Sequence, residues 1–277
     1  MKTILFPTDF SKNAQHASEY AGMLAKVFDA QIVLLNVHFI PMVAQNHPSS
    51  KVQAAININK NEAIDELATF TKVFIERSGI DPKNTSQRVE YGFPAEKIVE
   101  IAEEINADFI VMGTKGASAI LDKWLGTNAQ KVMQSAPCPV WIIPESTVIE
   151  TPKKLMYAAD FKEDEVTATK KFVQIIRPLD SLCKVIHVHD IFEPAELDTI
   201  KETVGALRSE LKGEDVLVRN FNRTDIIEGL ETYIDTYKPD LLALAVHEKS
   251  FMEKLFNTSV TKHFVQSAQL PILTFRK

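Results

Sequence analysis

Cysteine is nearly absent from this chain: among 277 residues only Cys138 and Cys183 occur, one in each half. Neither has metal-ligand spacing, which excludes a disulfide scaffold and a cysteine metal centre. It fits two small buried side chains in a reducing, cytoplasmic setting. Long apolar runs are missing as well. No stretch approaches the roughly 18 consecutive apolar residues of a membrane span. The opening MKTILFPTDFS is interrupted by Pro7 and Asp9 and followed by no small-residue cleavage site, unlike a signal peptide. Basic charge is not in excess: 31 Lys and Arg stand against 37 Asp and Glu, a formal net charge of -6. That balance argues against a broad nucleic-acid surface. Two phosphate-binding motifs are also lacking, GxxxxGK[ST] and GxGxxG, which turns the reading away from P-loop NTPases and dinucleotide dehydrogenases.

What is present is ordinary globular composition, 45% hydrophobic and 25% charged, at a length that suits two domains with a core each. The halves resemble one another. TILFPTDF (Thr3 to Phe10) returns as KLMYAADF (Lys154 to Phe161), and QIVLLNVH, ending at His38, falls on KVIHVH, ending at His189. ADFIVMG (Ala107 to Gly113) matches PDLLALA (Pro239 to Ala245), and MQSAPCPVWII (Met133 to Ile143) matches VQSAQLPILTF (Val265 to Phe275). Each pair alone is a weak coincidence of apolar runs; their common order argues for duplication. The expected domains are residues 1–146 and 153–277, joined by a polar stretch that contains Pro152.

Within the first copy the pattern alternates strand and helix. Lys2 to Pro7 is a short apolar run, as a strand buried on both faces requires. Ser11 is placed to cap a helix whose apolar positions are Ala14, Ala17, Ala21, Leu24, Ala25 and Phe28. Gln31 to Val37 reads as a strand and Pro41 to Ser50 as a loop. Ala63, Ile64, Leu67, Phe70, Phe74 and Ile75 mark a long amphipathic helix ending near Gly79. Ser86 to Tyr91, Asp108 to Met112 and Val140 to Ile143 supply three more strands, and Pro94 opens a helix. The expected fold is α/β: two tandem, open, doubly wound parallel sheets, Rossmann-like, with right-handed crossovers.

Strand four runs directly into GTKGASAILDKWLGTNAQKV. Gly113 and Gly116 lie three apart, nine residues intervene, and Gly126-Thr127 opens a helical segment. Glycines let the backbone approach a ligand closely, and the unsatisfied N–H groups of a helix start attract phosphate oxygens. Thr127 adds a hydroxyl and Lys115 a mobile positive charge. Ligands of open α/β sheets bind beyond the carboxyl ends of the strands, where Asp9 and Val37 also fall. From spacing alone, glycines near strand ends also suit tight turns, and Asp9 alone also suits a helix cap; both readings stand at this point.

PTDFS at Pro7 to Ser11, together with G-x2-G-x9-G-[ST] at Gly113 to Thr127, resembles the universal stress protein family, in tandem two-domain form. The resemblance implies five strands per domain in the order 3-2-1-4-5 and an adenine nucleotide, ATP with or without Mg²⁺, in the first domain. By position it gives the ribose to Asp9, within the Pro7-Thr8-Asp9 turn, the adenine to Val37, and the phosphates to Gly113, Gly116, Gly126 and Thr127. Met112 and Asn128 flank the loop as further contacts; Lys115 departs modestly from the family pattern. It also implies pairing of the last strands, Pro139 to Ile143 with Pro271 to Phe275, as a pseudo-dimer, and leaves a further homodimer and unidentified protein partners open.

In the second copy Gly113, Gly116, Gly126 and Thr127 correspond to Ala245, Glu248, Thr258 and Ser259. All three glycines are gone, and Glu248 would set a carboxylate against polyphosphate. Asp160 persists, as a helix cap or for a smaller ligand, with Val188 at the adenine position. His187 and His189 share a strand face and raise the alternative of a metal, with His247 as third ligand, but the set is incomplete, so no metal site is assigned. His263 sits in the degenerate loop. No residue near the glycines stands out as a catalytic base. The expectation is a stress-response regulatory module binding one nucleotide, with at most slow ATP hydrolysis; a slow ATPase or nucleotide-transferring enzyme and an empty scaffold are the alternatives.

Overall fold

The computed structural model describes residues 1–38, 50–114, 126–161, 164–190, 197–223, 225–246 and 270–277. The chain divides into two compact units, Met1–Glu150 and Thr151–Lys277.

In the first unit the apolar run KTILFP forms β1 (Lys2–Pro7), whose residues from Thr3 onward are buried. α1 (Lys12–Phe28) follows, and its N-cap Ser11 accepts the Ala14 N–H as the sequence predicts. Ala14, Ala17, Ala21, Leu24, Ala25 and Phe28 form its buried stripe, joined by Asn13, which the apolar pattern does not anticipate. Then come β2 (Ala30–His38), α2 (Ser50–Ser78), β3 (Thr85–Tyr91), α3 (Pro94–Glu104), β4 (Phe109–Gly113), α4 (Thr127–Ser135) and β5 (Val140–Ile143). α2 starts at Ser50, which the sequence assigns to a loop, and Ile64 on it is 50% exposed rather than part of the packed face. The strands run parallel in the order β3-β2-β1-β4-β5. Phe6, Tyr20, Phe74 and Trp141 are among the largest side chains wholly removed from water. Burying each such side chain contributes about 1.5–3 kcal/mol.

The second unit repeats the plan with β6 (Lys154–Ala158), α5 (Glu165–Ile176), β7 (Leu182–Asp190), α6 (Leu197–Glu210), β8 (Val216–Arg223), α7 (Ile226–Tyr237), β9 (Leu241–Val246) and β10 (Ile272–Arg276). These strands are parallel in the order β10-β9-β6-β7-β8, the same topology again. Buried positions on α5 (Ala168, Thr169, Phe172, Val173, Ile176) sit 151 residues after Ala17, Ser18, Ala21, Gly22 and Ala25 of α1, so the two helices are in one register. Cys183 is buried and Cys138 half-buried, and neither is in a disulfide. No described helix is long and apolar enough to cross a membrane.

Candidate functional site

Parallel register brings the predicted residues of the first unit to one sheet edge. Pro7 lies opposite Leu35 of β2, and Leu5 opposite Ile110 of β4. Counting on, Pro7 stands level with Met112, and Thr8 with Asn36 and Gly113. The Thr8 N–H still bonds the Leu35 carbonyl at 2.8 Å, so β1 and β2 remain joined one residue past the strand end. Asp9 and Val37 follow one step beyond. Asp9 is exposed and Val37 half-buried, while Thr8 and Met112 are 6% and 8% exposed. Asp9, Val37, Met112 and Gly113 are therefore brought to the carboxyl edge of β1, β2 and β4, where such sheets take ligands.

The chain leaves β1 through a tight turn. The Phe10 N–H bonds the Thr8 hydroxyl at 3.0 Å, and the Ser11 N–H bonds Asp9 Oδ1 at 3.2 Å. Phe10 takes φ 63, a left-handed conformation that is an outlier for a bulky residue. Its copy Phe161 takes φ 53. Local strain of this kind is held only where the surroundings over-determine it, and Phe10 packs on Phe70 with centroids 5.9 Å apart.

On the other side of the site, the Gly126 N–H donates to the Thr114 carbonyl at 2.7 Å. The start of α4 is thereby pinned to the end of β4. Gly126 is the N-cap with φ -61 and ψ 144, and no side chain caps the helix. The first bond of the helix ladder is Gln130 N–H to the Gly126 carbonyl, so the amides of Thr127, Asn128 and Ala129 precede it and have no partner within the helix. Thr127 and Asn128 are exposed. Such a helix start carries partial positive charge and suits an anion. Lys115 and Gly116 lie outside the described residues.

Gly113 also has a protein neighbour that a side chain there would meet. A Cβ there would lie 2.7 Å from Asn13 Oδ1 and 3.1 Å from Asn13 Cγ. Asn13, 8% exposed, sends its Nδ2 to the Thr114 hydroxyl at 3.1 Å. Sequence reasoning missed Asn13, although a polar residue at the edge of an otherwise apolar helix stripe is the signal that marks it.

The corresponding edge of the second unit is built differently. Asp160, the copy of Asp9, is not the N-cap of α5, a position held by Asp164. Its Oδ1 lies 2.5 Å from Lys277 Nζ. The same ammonium lies 2.8 Å from Glu165 Oε2. Tyr157 donates to Glu165 Oε1 at 2.5 Å, and the Thr169 hydroxyl donates to the same oxygen at 3.3 Å. The Lys277 and Glu165 side chains are 6% and 1% exposed. Burial pushes the Glu165 carboxyl above its usual range, with Lys277 pulling the other way. Burial likewise holds the Tyr157 phenol protonated well past its usual value, with Glu165 adding to the effect. The second unit thus engages its Asp with an internal cation. A signal was present in the sequence: Glu165 stands where the first copy has Ala14, an acid on a buried helix face.

The histidine pair has a structural partner in the first copy. Asn36 Nδ2 donates to the Thr8 carbonyl at 2.9 Å, and His187, its copy, places Nδ1 2.9 Å from the carbonyl of Ala159, the copy of Thr8. A carbonyl only accepts, so Nδ1 carries the hydrogen, and in the neutral ring the lone pair lies on Nε2. His187 also stacks on Phe161 at 4.3 Å between centroids. Among the described residues no group of three His, Cys, Asp or Glu is placed to hold a metal ion. His47, His247, Glu248, Thr258, Ser259 and His263 lie outside the described residues, while Ala245 is on β9.

Comparison with known proteins gives one consistent answer. The model of the universal stress protein family matches residues 1–144. A universal stress protein of Methanocaldococcus jannaschii is 33% identical over 153 residues, 55% of this chain and 84% of its own length. One from Synechocystis is 29% identical over 143 residues, 52% of this chain and 85% of its own length. In fold, the crystal structure of a universal stress protein from Archaeoglobus fulgidus matches 99% of this chain and 98% of its own, with a TM-score of 0.72 at 22% identity.

Proposed function

Because the chain belongs to the universal stress protein family, we propose that its first unit binds one adenine nucleotide, ATP with or without Mg²⁺, as a stress-response regulatory module with little or no turnover. The observation that carries this reading is the uncapped start of α4, pinned by the Gly126–Thr114 bond at the same sheet edge as Asp9 and Val37. In this reading the amides of Thr127 and Asn128, with the Thr127 hydroxyl, take phosphate oxygens, together with Gly113, Gly116 and Gly126 as the resemblance assigns them, and Lys115 supplies positive charge. Asp9, in its Pro7-Thr8-Asp9 turn, accepts the ribose hydroxyls; Val37 and Met112 meet the adenine. Mg²⁺, where it accompanies the ATP, would neutralise phosphate charge. The second unit, with Ala245 in place of Gly113 and Asp160 engaged by Lys277, takes a structural or partner-binding role.

The protein purified without added nucleotide is denatured and any released nucleotide identified, and the emptied protein is titrated with ATP. Bound adenine nucleotide, abolished by Gly116→Glu in a chain that keeps its circular dichroism, is the expected result. No released nucleotide and no binding in the titration would leave a scaffold. Multiple turnovers of phosphate release, lost on Asp9→Ala, would instead make it an ATPase.

A further inference from the structure

Asn13 joins the two halves of the candidate site. It follows the Asp9 turn in the chain, yet its side chain bonds the residue that leads into the glycine loop. Burying an amide that is only partly satisfied costs free energy, and Asn13 Oδ1 has no hydrogen-bond partner among the described residues. Packing alone would be better served by an apolar residue. Its neighbours are fitted to it: Gly113 leaves out the Cβ that would collide with it. Thr114 supplies the acceptor hydroxyl while its own backbone carbonyl takes the Gly126 N–H and its N–H bonds the Ile143 carbonyl at 3.3 Å. Thr114 is therefore bonded at once to Asn13, to the end of β5 and to the start of α4.

The second copy shows what happens without this arrangement. Asn13, Gly113 and Thr114 correspond there to Asp164, Ala245 and Val246. Amide, bare Cα and hydroxyl are all replaced together. The helix then begins at Glu165, two residues later in register than α1, with Asp164 left-handed at φ 63. All three parts of the contact are missing in the copy that lacks the glycines.

We propose that Asn13 is a positioning residue for the phosphate side of the site: through Thr114 it sets the height at which the start of α4 faces the Asp9 turn. This rests on the nucleotide reading above. Its action is on the phosphates and not on the nucleoside, which meets Asp9 and Val37.

The test compares ATP with adenosine, each measured by displacement of a fluorescent ATP analogue, on wild type, Asn13→Ala, Thr114→Val and the double variant. Asn13→Ala should weaken ATP about tenfold, the worth of one well-placed hydrogen bond. It should leave adenosine nearly unchanged. Thr114→Val should do the same, and the double variant no more than either single one, because both remove one contact. Equal weakening of the two ligands, no weakening of ATP, or additive losses would overturn the proposal. Should Asn13→Ala fail to fold, Thr114→Val, which installs the residue the second copy carries, decides the matter by the same ratio. A wild type that takes up neither ligand overturns the nucleotide reading along with this one; a wild type that binds, with an ATP-to-adenosine ratio unmoved by either variant, overturns this one alone.

Discussion

Glu165 is an acid on the buried face of a helix, between a tyrosine hydroxyl and a lysine ammonium. Its carboxyl is held above the ordinary glutamate value because burial disfavours the charge more than Lys277 favours it. Folding therefore takes up a proton across the interval between the unfolded and folded values. In that interval the native state binds more protons at this group, so the contribution of Glu165 to stability falls as pH rises through it. Glu165→Gln should remove this slope while keeping an acceptor for Tyr157. Urea midpoints of wild type and variant, compared from about pH 4 upward, check it, and an identical pH dependence of the two would refute it. At this scale the sequence was only partly legible. Ser11 as a cap and Asp9 at a strand end follow from local pattern. The partners of Asp160 and Glu165 do not, because Lys277 lies 117 residues from Asp160 in the chain and no periodicity connects them. The His187–His189 pair is equally opaque until the carbonyl of Ala159 is seen to take Nδ1.

Among the elements, α4 is the one whose start is unfinished. Gly126 has ordinary helix-entry torsions, φ -61, so a side chain is compatible with its backbone. Gly126→Asp would cap the amides of Asn128 and Ala129, which precede the first ladder bond, and is expected to stabilise the fold by about 0.5–1 kcal/mol. The same carboxylate would stand where phosphate is proposed and should abolish ATP binding. Thermal denaturation and ATP titration of the one variant give both numbers; tight ATP binding by Gly126→Asp would refute the phosphate role of this helix start. The elements themselves were well marked. Buried parallel strands read as unbroken apolar runs, and α1 and α3 announce their starts with Ser11 and Pro94. The first turns of α2 were not, since Ser50 follows a polar, proline-containing stretch that reads as loop.

At the scale of the whole molecule, the duplication is what the sequence displays most openly, because buried strands at matching places in two copies meet the same apolar requirement. The two edges nevertheless differ, one with an uncapped helix start and the other with an acid–lysine–acid cluster. ATP should accordingly bind with a stoichiometry of one per chain. It should slow amide exchange in the first turn of α4 and at the ends of β1 and β4, and leave β6, α5 and β10 unaffected. Calorimetry with hydrogen-exchange mass spectrometry measures both, and two nucleotides per chain would refute the division of labour.

The contact of Asn13 with Gly113 also ties two distant positions to one another. With the asparagine in place, an alanine at the glycine position would lie 2.7 Å from its Oδ1, so one side chain must give way. The second copy carries Asp164 and Ala245 at the two places, so both members of the pair differ there together. Restoring the first copy's edge in the second is therefore a joint change of helix and strand end, not a repair of the loop alone.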